Sequence, residues 1–194
     1  MTKLPITALI VTHNEEINIP HCLESLSGKV AEIIIVDSYS EHATQEIGRR
    51  YGAQIHEREF KNQADQCNWA LENIHMKGEW IMRLDADETV TEELWQELEI
   101  ILSRAGGDVG GFFMKRRVYF MGRWIRHGGY YPLWFLRIWR KGWGKYEERE
   151  VDEHFVLERG EAINLQNDFC DENRKGLNEW LRKHIAYAGK EAHE

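Results

Sequence analysis

The 194-residue chain holds only three cysteines, Cys22, Cys67 and Cys170, an odd number without metal-type spacing. That argues against a disulfide scaffold and for a reducing compartment. It has three prolines and no Pro- or Ser-rich tract, internal repeat or low-complexity segment, so no linker divides it. No apolar run approaches the roughly 20 residues that span a bilayer, which excludes an integral helical membrane protein. The N-terminal Met1-Thr2-Lys3-Leu4-Pro5 leads straight into an apolar run of strand length. It lacks the long hydrophobic region and small-residue cleavage site of a signal peptide. The expectation is a soluble, cytoplasmic protein. Acid is also missing from one long stretch: residues 112–145 carry nine Lys or Arg and no Asp or Glu, in a chain of net charge −8. One cationic block in an otherwise acidic protein points to a localised anionic partner.

What is present supports a single domain over residues 1–194. Hydrophobic residues make up 42% and charged residues 30%, enough to bury a core. The first half alternates strand-like and helix-like segments. Ile6 to Thr12 is a β-rich apolar run, and Ile19-Pro20 opens a helix with Pro in its first turn, closed by Gly28. Ile33-Ile34-Ile35-Val36 is unbroken, as in a strand buried on both faces of a parallel sheet. Helices are expected over Thr44–Tyr51, Gln63–Met76 and Thr91–Ser103, with strands over Ala53–His56 and Trp80–Leu84. This rhythm implies an α/β fold with a doubly wound, mostly parallel sheet and ligands at the C-terminal ends of its strands. Asn14, Asp37 and Asp85 fall at such ends. Beyond about residue 110 the rhythm fades into Gly pairs and aromatics, read as an irregular lobe over 111–172. A C-terminal helix follows over 173–194, still running at Glu194, which suggests a shortened chain.

Asp85-Ala86-Asp87 is the sharpest chemical signal. Alternate residues of an extended segment point the same way, so two carboxylates can converge beyond the strand on a hard divalent cation. The alternative is a pair of solvated acids in a turn before a helix, with Glu88 favouring the helix N-terminus. Asp37, followed by Ser38-Tyr39-Ser40, is a carboxylate suited to a ribose or base edge, or else to an ordinary Asx turn.

Three segments in order carry a resemblance. Thr7-Ala8-Leu9-Ile10-Val11-Thr12-His13-Asn14-Glu15-Glu16, Ile33-Ile34-Ile35-Val36-Asp37-Ser38 and Leu84-Asp85-Ala86-Asp87-Glu88 resemble the first strand, second strand and Asp-x-Asp element of family-2 glycosyltransferases. Within that family the chain is most similar to bacterial transferases of lipopolysaccharide-core and exopolysaccharide assembly. Lys61-Asn62-Gln63-Ala64-Asp65-Gln66 and Arg137-Ile138-Trp139-Arg140-Lys141-Gly142 add to the likeness, which spans roughly residues 6–172. It implies a glycosyltransferase A fold with a nucleotide-sugar half over 1–110 and an acceptor half over 111–172. It also implies a nucleoside-diphosphate sugar donor, with UDP favoured, and a Mn²⁺ or Mg²⁺ ion. On the same basis Thr12, Asn14 and Glu15 line the nucleotide pocket, Asp37 binds base or ribose, and Lys61 and Gln63 stand near the donor. Asp85 and Ala86 lie against the ribose, and Asp87, with Asp85, holds the metal.

Family members invert the anomeric centre and need a base for the acceptor hydroxyl. Here the resemblance points to Val151-Asp152-Glu153-His154, with Glu153 favoured and Asp152 as the other candidate. An acidic cluster of solvated surface residues remains the plain alternative. His154 is either a further metal ligand or structural. The cationic block could bind single-stranded nucleic acid, but the resemblance favours an anionic membrane surface or a phosphorylated glycolipid acceptor, or internal pairing with the acidic half. A catalytically silent sugar-nucleotide binder and a sugar nucleotidyltransferase are the competing functions. Against the latter, no Gly-rich phosphate loop precedes a basic residue near the N-terminus.

Overall fold

A computed structural model describes residues 3–41, 43–147, 154–182 and 185. Strands β1 (Leu4–Thr12), β2 (Val30–Asp37), β3 (Gln54–Glu57) and β4 (Trp80–Asp85) alternate with helices α1 (Ile19–Leu26), α2 (Thr44–Arg50) and α3 (Gln63–Asn73). The four strands pair in parallel in the order β3-β2-β1-β4. The apolar runs of β1 and β2 are buried on both faces, which is why no alternation shows in their sequences. Helix α1 has its proline at the start, where the missing N–H costs nothing. Asn62 caps α3 by accepting from the Asp65 amide at 2.7 Å. Gly78 opens β4 under the first strand, where a Cβ would lie 2.3 Å from the Thr7 nitrogen, so only glycine fits.

A short strand β5 (Glu88–Val90) and helix α4 (Glu92–Leu102) follow. The second half is more regular than its sequence rhythm suggests. Strands β6 (Val109–Phe120), β7 (Arg123–Trp124), β8 (Trp134–Arg140) and β11 (Glu161–Glu172) extend the same sheet to nine strands, in the order β3-β2-β1-β4-β8-β6-β11-β5 with β7 on β6. Only β9 (Gly144–Tyr146) and β10 (Phe155–Leu157) form a separate antiparallel pair. The lobe expected over 111–172 therefore continues the first half's sheet. Residues 177–182 are helical.

Helices lie on both faces. One core packs α1 and α4 against Ile6, Ile10, Leu84, Phe112 and Phe169; the other packs α3 against Leu9, Ile34, Ile81 and Trp139. Trp139 of β8 stacks on Phe155 at 3.8 Å between ring centres, tying the small β9–β10 pair to the sheet. No helix among the described residues is long and apolar enough to cross a membrane.

Candidate functional site

The parallel registers place Thr12 opposite Asp37 and Val11 opposite Asp85, so the ends of β2, β1 and β4 form one edge. Asp37 is fully buried there. Its Oδ2 accepts from Thr12 Oγ1 at 2.7 Å and Ser40 Oγ at 2.5 Å, and its Oδ1 from the Ser40 amide and Gln45 Nε2, each at 2.8 Å. Burial works against the charge, but these four donors outweigh it and hold the carboxyl below the usual carboxylate range. Beside it Gln66 Nε2 donates to Ser38 Oγ at 2.7 Å.

The β1–α1 loop turns at Asn14, whose φ of 54° is left-handed. Asparagine tolerates this conformation, and its Oδ1 accepts from the Glu41 amide at 2.9 Å. Glu15 anchors the loop: Oε2 accepts from Asn18 Nδ2 at 2.9 Å and Oε1 from Lys175 Nζ at 2.6 Å. Lys175 belongs to a strap after β11. In that strap the Arg174 amide donates to Asn18 Oδ1 at 2.8 Å, and Asn173 Nδ2 lies 3.4 Å from Asp87 Oδ2. A cleft of about 400 Å³ opens between loop and strap, lined by Asn14, Glu16, Ile17, Lys175, Glu179 and Arg182. A larger groove of about 690 Å³ between α4 and β11 contains none of the strand-end residues.

Asp85, Ala86, Asp87 and Glu88 form a tight turn between β4 and β5, with Ala86-Asp87 at its tip. The expected extended segment is absent, because Glu88–Val90 pairs with β11 and folds the chain back. Glu88 does not serve a helix start either. It is buried, accepts the Asp85 amide at 2.8 Å and pairs with Arg137 at 2.5 Å. Burial and the neighbouring Asp85 push its carboxyl up. Arg83 forms a fork on Asp85, at 2.6 Å to Oδ1 and 3.0 Å to Oδ2. Burial opposes the Arg83 charge, but Asp85 together with Tyr146, Cys67 and Glu88 outweighs it and pushes the guanidinium pKa up. Gln63 Nε2 stands 3.5 Å from Asp85 Oδ1, while Lys61 is exposed and lies 3.9 Å from Asp65.

These contacts test the fit of a divalent cation. Both Asp85 oxygens already accept from guanidinium groups, and no cluster of three or more His, Cys, Asp or Glu suited to a metal occurs among the described residues. The donor set suits a cation held by Asp87 and by the oxygens of a bound diphosphate, since Mg²⁺ is commonly held by one or two carboxylates plus substrate phosphates.

Most of the cationic block faces inward. Arg117 and Lys115 pair with the buried Asp168 at 2.7 and 3.4 Å, Arg116 with Asp171 at 3.6 Å, Arg137 with Glu88, and Arg140 with Glu79. Trp124 lies between the guanidinium groups of Arg117 and Arg126, 4.6 and 4.3 Å from its ring centre. Besides Lys141 and Lys145, the exposed remainder is the β6–β7 hairpin tip and the chain leading to β8, where Met121 (74% exposed), Tyr130 and Trp134 accompany Arg123 and Arg126. Since β6 runs parallel to β4 through β8, this tip overhangs the same edge as the acidic turn.

The structure thus brings Thr12, Asn14, Asp37, Gln63, Asp85, Ala86 and Asp87 to one edge, with Glu15 just behind the loop. Asp152 and Glu153 lie outside the described residues. His154 is exposed, and its carbonyl accepts from the Glu147 amide at 3.0 Å. Arg83, Glu88, Arg137, Ser40 and the Asn173–Lys175 strap were not expected. Arg83 carried a signal, since it stands two residues before Asp85 on a strand and so shares its side.

Comparison with known proteins follows the same edge. The sequence profile of Glycosyl transferase family 2 matches residues 7–158. The lipopolysaccharide core biosynthesis glycosyltransferase LpsC of Rhizobium meliloti (strain 1021) is 32% identical over 162 residues, covering 80% of this chain and 58% of that protein. An uncharacterized glycosyltransferase of Rickettsia bellii is 34% identical over 103 residues, 53% of this chain and 34% of the relative. The match therefore spans from about a third to under three fifths of these relatives' lengths. Among solved structures, S. aureus TarS 1-349 in complex with UDP-GlcNAc superposes with a TM-score of 0.62 at 16% identity, over 89% of this chain and 59% of that one. The mannosyltransferase PcManGT of Pyrobaculum calidifontis, in complex with GDP-Man and Mn²⁺, gives 0.58 at 17% identity, over 97% and 65%. The shared fold is mixed α/β with a mostly parallel central sheet.

Proposed function

The chain belongs to glycosyl transferase family 2, and from that premise we propose an inverting, metal-dependent transfer of a sugar from a nucleoside-diphosphate donor. A UDP-sugar is the favoured donor, and the acceptor is a saccharide or glycolipid of bacterial lipopolysaccharide or exopolysaccharide assembly, reached from the cytoplasmic side. The observation that carries this reading is the placement of Asp37 and the Asp85–Asp87 turn at the ends of the two parallel strands that flank β1. The LpsC relative's role in lipopolysaccharide core synthesis supports the acceptor class. The donors bound by the TarS and PcManGT structures support the donor class.

In this reading Asp37 receives the base or ribose. Its four acceptor positions are filled, so Ser40 or Gln45 gives way when the nucleotide enters. Thr12 and Asn14 line that pocket with Glu15 behind them, Lys61 and Gln63 flank the donor, and Asp85 with Ala86 lies against the ribose. Asp87 would hold the cation, whose charge would offset that growing on the departing diphosphate. The acceptor oxygen attacks the anomeric carbon as the bond to the diphosphate breaks. Glu153, or Asp152 in its place, takes the hydroxyl proton. Replacing Glu153 by Gln then lowers kcat by roughly 10²-fold with nucleotide affinity kept; an unchanged rate moves the role to Asp152. Met121, Tyr130, Trp134, Arg123 and Arg126 form an acceptor-side tip suited to an anionic membrane surface carrying a glycolipid.

The test is a thermal shift with UDP, GDP, dTDP and CMP in Mn²⁺, followed by product analysis with the matching sugar nucleotide. A ligand at about 100 times its Kd stabilises by about 2.7 kcal/mol. Release of nucleoside diphosphate supports transfer. Binding without turnover would indicate a silent binder, and pyrophosphate formed in a parallel assay from nucleoside triphosphate and sugar 1-phosphate a nucleotidyltransferase.

A further inference from the structure

Asp85 is gripped from both faces of the sheet. Arg83 reaches it from the face that carries Tyr146 and Cys67, as the strand alternation requires. The second guanidinium arrives through an irregularity. Strands β6 and β8 pair Phe112 with Ile138 and then Phe113 with Leu136, so Arg137 is the extra residue of a β-bulge. A bulge breaks the alternation and re-aims one side chain. Here the Arg137 guanidinium lies over the rings of Phe135 and Phe169, at 5.5 and 5.6 Å, on the α1–α4 face. Its Nη2 is 3.3 Å from Asp85 Oδ2 and 2.5 Å from Glu88 Oε1. The side chains of Arg83, Arg137 and Glu88 are 5%, 8% and 1% exposed, so this is an interior network, not a surface pair.

We propose that Arg137 is a positioning residue of the donor site, brought in by the bulge to fix the Asp85–Glu88 turn and so the placement of Asp87. The inference rests on the reading of this turn as the place where the donor's diphosphate and cation are held. Geometry supports it. Arg83 and Arg137 hold Asp85 and Glu88 at the base of the turn, with Asp87 at its tip. Without Arg137 the buried Glu88 loses its guanidinium partner and the turn loses its tie to β8. Arginine suits the task because it stays charged when buried and can bridge two carboxylates.

The test compares UDP affinity with and without Mn²⁺. Arg137→Met alone leaves Glu88 buried without its cation, a strongly destabilising state, so it is paired with Glu88→Gln to remove both charges. Arg137→Lys, which keeps a buried cation, is read alongside and carries the test if the double variant does not fold. The expected result is metal-free UDP affinity within twofold of wild type, with the Mn²⁺-dependent gain reduced tenfold or more in the double variant and less in the lysine variant. Amide exchange at residues 85–88 should rise at least tenfold in the protein without ligand. An unchanged Mn²⁺ gain with unchanged exchange overturns the proposal. An equal loss of metal-free UDP affinity also overturns it, by making Arg137 a direct nucleotide contact. Asp87→Ala is the control: if it also keeps the Mn²⁺ gain, the donor-site reading itself fails.

Discussion

Lys175 Nζ lies 2.6 Å from Glu15 Oε1, joining the strap after the last strand of the sheet to the loop after the first. The two side chains are 17% and 21% exposed, so the pair is partly shielded from salt. Neighbouring bonds from Arg174 to Asn18 and from Asn173 to Asp87 share the load. Replacing Lys175 with Ala should therefore cost only about 1 kcal/mol or less. Amide exchange across residues 173–176 should nevertheless rise, because local opening needs fewer contacts to break. Exchange unchanged from wild type would mean that the strap does not depend on this pair.

Asp37 makes a pH-dependent contribution of known sign. Its folded pKa lies below the unfolded value of about 3.9. The stabilisation is therefore fully present above that unfolded value and is lost as pH falls through the lower folded value. Asp37→Asn removes this dependence and leaves several donors with a poorer acceptor. Its melting midpoint should be below wild type at pH 7, and the gap should narrow below about pH 4. A gap independent of pH would show that folding does not shift the Asp37 pKa.

The strand ends were legible because their strands were. Ile33-Ile34-Ile35-Val36 and Ala8-Leu9-Ile10-Val11 are apolar without a break, and the first polar residue after each, Asp37 and Thr12, marks the edge. The shape of the acidic turn was hidden because β5 pairs with Phe169–Asp171, some eighty residues later, and nothing local announces that pairing. Arg137 was hidden for a related reason: it stood as one of nine cations in the block, with nothing local to mark it out before the bulge turns it inward. The block read as a face for an external anion because its partners Asp168, Asp171, Glu79 and Glu88 come from distant, acidic segments. Long-range pairing of opposite charges leaves no trace in a window of neighbouring residues.

Asp87 should separate metal binding from stability. It sits half-exposed at a turn tip, so Asp87→Ala should change unfolding free energy by under about 1 kcal/mol. Mn²⁺-dependent binding of UDP and sugar transfer should both be lost, and excess EDTA should reproduce the loss in wild type. Transfer that survives EDTA would remove the cation from the mechanism.

The Asp168 cluster distinguishes an interior use of the cationic block from a surface one. Asp168 is 5% exposed and accepts from Arg117 at 2.7 Å, with Tyr131 Oη at 3.2 Å and Lys115 at 3.4 Å. Asp168→Asn leaves two cations without their counter-charge in the interior, where breaking one member of a buried pair costs about 3–5 kcal/mol. Because Lys115 and Arg117 keep side-chain exposures of 18% and 30%, water compensates in part, and about 2–3 kcal/mol is expected. Arg123 at the exposed hairpin tip provides the contrast, since Arg123→Ala should change stability by no more than about 0.5 kcal/mol. Urea unfolding of the two variants measures the difference directly. If the tip meets an anionic bilayer, Arg123→Ala should also weaken sedimentation with phosphatidylglycerol vesicles at low salt, an effect that fades as the Debye length shrinks. Asp168→Asn should leave vesicle binding unchanged at temperatures where it stays folded. Equal stability losses in both variants would place Arg123 among the internal partners and remove the tip as a membrane contact.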